Sequence, residues 1–325
     1  MANPNVSEIM TTTLESRTGK LADNVTENNA ILYRLREKGK KKPVSGGNVI
    51  YQELEYAENS TYKRYSGYET LDISPSDVFT SAEFNWKQAA VAVTCSGLEE
   101  LQNSGRERVI DLVSSRVSNA EKTMSNNIAA DMYSDGTADG GKQIGGLQYL
   151  VEDTGGASTS TVGGIARGTY AFWENYSFDA TTDGGAAATA ANIQGYMNQV
   201  YLSISRGTDH PDLILADNAY YKLYWESLQA IQRITNEKLG EAGFMNLKYM
   251  NADVVFDGGY NGNAPTNHMY FLNTDYIHWR PHAQRDMVPL NPDRFATNQD
   301  AVVKLIAFAG NMTMSNAFLQ GVLKD

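Results

Sequence analysis

From Asn48 the chain alternates: Ile50, Gln52, Leu54 and Tyr56 fall on one side, Val49, Tyr51, Glu53 and Glu55 on the other, and this period of two predicts a β-strand. A second alternating stretch runs from Val78 to Thr94. Val78, Ala82, Phe84 and Trp86 share a face, and Ala89, Val91 and Val93 take it up after a slip of phase near Lys87, as a β-bulge would produce. Between the two lies AENSTYKRYSGYETLDISPSD, a polar, tyrosine-rich span of about twenty residues, longer than compact domains usually allow a connection. The two strands and their tip are expected to project as a hairpin. An isolated hairpin is barely stable in water, so another subunit is expected to cover it.

After Ser96 and Gly97 the period becomes helical. Val109, Val113, Val117, Ala120, Met124, Ile128 and Met132 form one narrow apolar ridge on a helix expected from about Gly105 to Ser134, ended by Asp135, Gly136, Asp139, Gly140 and Gly141. Residues 142 to 190, rich in Gly, Ala, Ser and Thr around Tyr170, Phe172 and Trp173, read as loops and hairpins. The stripe Ile193, Met197, Val200, Ile204 predicts a helix. DLILA after Pro211 predicts a short buried strand, and Asp217 or Asn218 caps a further helix carrying Leu223, Tyr224 and Leu228. NLKYMNADVVFDGG adds a strand or hairpin, giving a small α/β sandwich. The tail returns to strands at HMYFLN and in a long pair within QDAVVKLIAFAGNMTMSNAF, bent at Gly310 and Asn311.

Composition narrows the function. The 325 residues, 42% of them hydrophobic and 20% charged, suit one elaborate folded domain or two intimate ones. A net charge of −11 argues against a dedicated nucleic-acid reader, because phosphate attraction needs clustered positive charge. The exception is Arg34, Arg36, Lys38, Lys40, Lys41 and Lys42, opposed nearby by Glu37, at the end of a polar N-terminal arm covering residues 1 to 47. The single cysteine, Cys95, forms no intramolecular disulfide or thiolate zinc cluster and reads as a small buried apolar residue. With no signal-peptide stretch and no apolar run long enough for a membrane helix, a soluble, intracellularly made protein is expected.

Candidate chemistry is thin. GTADGGK from Gly136 has the glycine and lysine spacing of a phosphate loop, but Gln143 stands where Ser or Thr should hold Mg²⁺ and the motif follows a helix instead of a strand. Asp153-Thr154-Gly155 spells the aspartic-protease tripeptide without a second copy, and a surface turn is the better reading. His278 and His282 have the four-residue spacing of helical metal ligands, but Pro281 breaks that helix and no Glu accompanies them. A hydrolase using Asp153 or the His278 and His282 pair is the weakest alternative. No catalysis, metal or cofactor is expected.

The order of elements carries a resemblance. AAVAVTCSGLEELQNSGRERVIDLVSSRVSNAEKTMSNNIAADMYSDG, then IGGLQYLV, then HPDLILADNAYYKLYWESLQ, then NQDAVVKLIAFAGNMTMSNAFLQGVL make the chain resemble a major capsid protein of a tailed double-stranded DNA bacteriophage, with the Hong Kong 97-type coat fold. The resemblance implies an α+β fold in which residues 1–47 are the arm and 48–95 the extended loop. Residues 96–144 would be a peripheral domain with a spine helix, 145–265 an axial domain, and 266–325 strands returning to the peripheral domain. It also implies a virion protein, made in the bacterial host cytoplasm, that self-assembles as pentamers and hexamers into an icosahedral shell. Tyr56, Tyr62, Lys63, Arg64, Tyr65 and Tyr68 of the extended loop would then be assembly contacts, and the basic arm an inner-face contact for packaged DNA or a scaffold. A separate scaffolding protein and a portal are expected partners, with a decoration protein as a further one. Some relatives cross-link a loop lysine to an asparagine; Lys63 with Asn311 or Asn316 has the right residue types without a matching motif. An encapsulin-type nanocompartment shell is the nearest alternative.

Overall fold

The computed structural model describes residues 29–102, 106–155, 159–228, 246–257, 263–290, 294–295 and 301–325. Most of the expected arm, residues 1–28, lies outside them. What remains of the arm is not a free linker. Helix α1, Ala30–Glu37, starts at Asn29, whose side chain accepts from Ile31 N and Leu32 N at 3.1 and 3.2 Å, and it buries Ile31, Leu32 and Leu35.

The predicted hairpin exists in shortened form. Strand β1, Ile50–Glu55, pairs antiparallel with β2, Phe79–Phe84, from Ile50 opposite Phe84 to Glu55 opposite Phe79. Ile50, Gln52 and Leu54 are buried with Ala82 and Phe84, as the alternation requires. The slip near Lys87 marks something other than a bulge. Asn85 and Trp86 separate β2 from β3, Lys87–Ser96, which leaves the hairpin and pairs instead with the long strand β14, Ala301–Met314. The expected loop 48–95 therefore ends as a hairpin at Phe84, and β3 belongs to the body.

Helix α2, Arg106–Asp131, matches the predicted beam. Its stripe Val117, Ala120, Met124 and Ile128 is buried, and the helix packs across β3. The side chains of Val109 and Val113 lie outside the description.

Two small hairpin strands follow, β4 at Thr161–Val162 and β5 at Ile165–Ala166, and then β6, Tyr176–Asp179. Next come helix α3, Ile193–Ser203, strand β7, Leu213–Ala216, and helix α4, Asn218–Ser227. Asp217 caps α4 by accepting from Tyr220 N at 2.9 Å. Strands β8, Asn246–Tyr249, β9, Ala252–Phe256, and β10, His268–Leu272, complete the middle of the chain. The closing segment holds β11, Ile277–Pro281, β12, Val288–Pro289, β13, Arg294–Phe295, β14, and β15, Gly321–Lys324.

These strands form two main sheets. One runs β6-β15-β10-β7-β9-β8, and the other is built on β14, which pairs β3 on one edge and β13, β12 and β11 in turn on the other. Residues 266–325, expected to return to the peripheral side, divide between the two sheets. β10 and β15 lie in the six-stranded sheet, and only β11 to β14 join the sheet of β3. Nor is QDAVVKLIAFAGNMTMSNAF a bent pair; it contributes one continuous strand. Gly310 is there for space, since a Cβ at that position would lie 2.8 Å from Arg280 O and 2.9 Å from Pro281 Cα on β11.

The six-stranded sheet is buried on both faces. Ile214, Ala216, Val254, Met269 and Phe271 pack with α3 and α4, through Met197, Val200, Tyr220 and Tyr224. Leu213, Leu215, Val255, Tyr270 and Leu272 face a larger core that continues through Met132 and Trp173 to Ile306, Phe308 and Met312 of the second sheet. Burial on both sides explains why DLILA reads as an unbroken apolar run.

Candidate assembly surface

The hairpin meets the body at its base. Gln52, on the inner face of β1, accepts through Oε1 from Arg280 Nη2 at 2.9 Å and from the Thr313 hydroxyl at 3.3 Å, tying it to β11 and β14. Asn85 O accepts from Asn311 Nδ2 at 2.9 Å, and Trp86 Nε1 donates to Gly47 O at 2.9 Å. Glu83 N donates to Gly163 O at 2.8 Å. Gly163 has φ +60°, and a Cβ there would sit 2.8 Å from the Ala82 methyl, so the turn after β4 approaches the hairpin only because that residue is glycine.

Beyond this base the hairpin is uncovered. Tyr62 and Tyr65 are 77% and 63% exposed, Tyr68 and Ile73 are more open still, and Tyr51 and Phe79 face solvent on the outer side of the strands. Tyr56 is partly covered, with its ring centroid 5.2 Å from that of Phe172. Lys63 pairs with Glu69 at 3.3 Å within the loop, and Arg64 is exposed. The sequence therefore placed the tyrosines and the two cations on one protruding element. It did not foresee the two grooves flanking Tyr56 and Phe172. One lies between β2 and the 163–172 turn. The other is bounded by Leu54, Tyr56, Trp173, Arg206, Asn316 and Phe318.

The basic run is distributed differently from a free patch. Arg34 Nε lies 3.0 Å from Asp212 and Arg34 Nη2 lies 3.5 Å from Asp253; Lys38 reaches Asp275 at 2.8 Å and Asp212 at 3.2 Å. Lys40 pairs with Asp275 at 3.5 Å and Lys41 with Asp286 at 2.7 Å. Asp212 also accepts from the N–H and hydroxyl of Thr274, both at 2.7 Å. Burial opposes charge on Arg34, but Asp212 and Glu37 outweigh it and raise its pKa. Lys41 and Val44 then bridge in parallel to Trp279 and His282 of the β11 edge. Four of the six basic residues thus clasp the N-terminal segment onto both sheets. Arg36 and Lys42 are exposed.

The remaining candidates do not converge. Asp153 accepts from His268 Nε2 at 3.0 Å, and His268 Nδ1 meets Thr266 O at 2.7 Å. Burial opposes the charge on His268, but these two acceptors outweigh it and raise its pKa. His278 lies within strand β11 and His282 just beyond it, so at strand rise they are about 13 Å apart along the chain, too far to share one ion. Burial, reinforced by Arg280, Lys40 and Lys42, pushes His278 down to about 4. Among the described residues no group of three or more His, Cys, Asp or Glu could hold a metal, and no helix is long and apolar enough to cross a membrane. Residues 136–142 form a left-handed turn, with Asp139 and Gly140 at φ 53° and 69°, after the long helix. Cys95 is buried. Asn311 is buried, donates to Asn85 O and accepts from Gly145 N at 3.1 Å and Met312 N at 2.9 Å, so its amide is engaged on both sides and is removed as a cross-linking candidate. Asn316 accepts from Leu319 N at 3.3 Å and lines the second groove.

No family model matches the sequence, and no curated protein resembles it significantly. Solved structures do resemble it in fold. A chain of the cyanophage A-1(L) capsid asymmetric unit superposes with a TM-score of 0.64 at 17% identity, covering 87% of this chain and 89% of that one. A chain of Mycobacterium phage Bobi gives 0.53 at 10% identity, covering 88% and 89%. The holo-SrpI encapsulin of Synechococcus elongatus PCC 7942 gives 0.50 at 8% identity, covering 91% and 88%. The order of elements that pointed to a capsid protein is thus matched in three dimensions over most of the chain, which has the Hong Kong 97-type α+β coat fold.

Proposed function

We propose that the chain is the major capsid protein of a tailed phage, a structural subunit that self-assembles into the icosahedral head and encloses double-stranded DNA. The observation that carries this reading is the uncovered aromatic hairpin on a coat-fold body. Five large apolar residues between Tyr62 and Ile73 are exposed, among them Tyr62, Tyr65 and Tyr68, and burial of such surface drives association. Each subunit would lay its loop on a neighbour within pentamers and hexamers, with closure set by symmetry. The two-sheet core, with α1 clasped onto it, would divide into the peripheral part around β14 and α2 and the axial part around β7 to β10. The role is one of shell building and not of catalysis. A separate scaffolding protein, a portal and a decoration protein are the partners this role calls for. The acidic chain would touch packaged DNA non-specifically at most, through the exposed Arg36 and Lys42.

The likeness to the SrpI encapsulin favours a second reading, a nanocompartment shell. Electron microscopy and size-exclusion chromatography of the protein produced in its native host, with any scaffolding partner present, test the shell directly. Closed megadalton particles are expected, and a small oligomer alone would refute it. Particles recovered from the native host with nucleic acid inside support the phage head, whereas particles loaded with a protein cargo support the compartment.

A further inference from the structure

The groove beside β2 takes the shell reading a step further and rests on it. It encloses about 610 Å³ between the hairpin and the 163–172 turn. Tyr56, Phe79, Tyr170 and Phe172 supply its rings, and the charged side chains in its lining are Asp77 and Glu83, both acidic. Both are exposed, and neither carboxylate has a hydrogen-bond or ion-pair partner among the described residues. At the loop tip, residues 62–65 carry two adjacent cations, with Glu69 and Asp72 further along the loop. Lys63 is engaged by Glu69, whereas Arg64 is exposed and without a partner among the described residues. Tyr62 and Tyr65 flank it and are open to solvent. Within its own chain the tip does not fill the groove, since none of residues 62–65 lines it.

An aromatic groove with two unpaired carboxylates matches an aromatic tip with one unpaired guanidinium. Arginine and tyrosine are the residue types that dominate interface energies, and arginine also stacks on aromatic faces. We propose that the groove receives the loop tip of an adjacent copy, with Arg64 of one subunit set between Asp77 and Glu83 of the next and Tyr62 and Tyr65 against Tyr170 and Phe172. The contact joins two different patches, so it is heterologous and propagates from copy to copy until a ring or shell closes.

A charge swap in the full-length chain tests the match. Arg64→Glu alone, and Asp77→Arg with Glu83→Arg, are each expected to lower the yield of sedimenting particles about tenfold or more, because like charges then face one another. Combining all three changes is expected to restore most of the yield. All three side chains are exposed, so the thermal midpoint of the unassembled subunit should not move. Reversals that assemble as well as the parent, or a combination no better than its parts, would overturn the proposal. A second measurement mixes copies carrying Arg64→Cys with copies carrying Glu83→Cys. An interchain disulfide specific to the mixed particles is expected, and its absence from particles that do form counts against the contact. If the unaltered chain forms no particles at all, the shell reading itself fails and takes this inference with it; failure of the swap in a chain that does assemble leaves the shell reading standing.

Discussion

The hairpin and the two-sheet body use the same alternating code with different amounts of cover. In β1 and β2 the inner residues Ile50, Leu54, Ala82 and Phe84 are buried, while Tyr51 and Phe79 on the other face, and the whole 62–73 tip, are bare. In the six-stranded sheet both faces are packed, with Ile214 and Leu215, neighbours in sequence, buried in opposite cores. The six-stranded sheet is covered on both faces, whereas the hairpin is covered on one side only. A half-finished element that is rigidly anchored at its base is suited to present its open side to another copy.

The strongest test of that contrast is removal of residues 57–77. The body should keep its fold, because the base is fixed by Gln52, Asn85 and Trp86, and assembly should be lost; circular dichroism and sedimentation check the two halves. Wild-type-like shells from the deletion would remove the loop from the account. Next come substitutions at opposite ends of β2. Phe84→Ala should destabilise the subunit by about 3–5 kcal/mol in denaturant unfolding, as buried aromatic truncations do. Phe79→Ala, at a position 72% exposed, should change stability by less than about 0.5 kcal/mol and act on particle yield instead.

The N-terminal clasp sharpens the comparison from the body's side. Asp212→Ala removes the carboxylate shared by Arg34, Lys38 and Thr274, leaving Arg34 to Asp253 and Glu37 and Lys38 to Asp275, and should cost about 1–3 kcal/mol, visible as a lower urea midpoint. A further expected effect is pH-dependent. His278 is held neutral in the folded subunit to about pH 4 but takes a proton near its ordinary pKa of 6.5 when unfolded. The unfolded state therefore binds more protons between those values, and stability falls as pH drops from about 6.5 to 4 and then levels off. His278→Gln should flatten that part of the urea-midpoint profile and leave the slope above pH 7 unchanged.

What the sequence made legible follows from periodicity. The helical ridge Val117 to Met132, the stripe Ile193 to Ile204 and the inner face of β1 have one buried side and one wet side, so their spacing reveals them. β14 was misread because its residues from Ile306 to Met314 are buried throughout, leaving no alternation, and because Gly310 looks like a turn when it makes room for β11. The break between β2 and β3 looked like a bulge, since a change of sheet shifts the phase just as one extra residue does. The clasp was invisible for another reason: Arg34 and Asp212 are 178 positions apart, and nothing local marks them as partners. For the assembly surface, the tyrosines were legible as an overlong polar tip. The acidic aromatic groove was not, because β2 and the 163–172 turn build it from two separate stretches.

The measurement closest to the central claim is hydrogen exchange over residues 56–78, compared between the unassembled subunit and the assembled particle. The account predicts fast exchange in the subunit and marked protection in the particle, while β7 and β10 are protected equally in both. Equal exchange of residues 56–78 in the two states, or protection already present in a monomer, would contradict it.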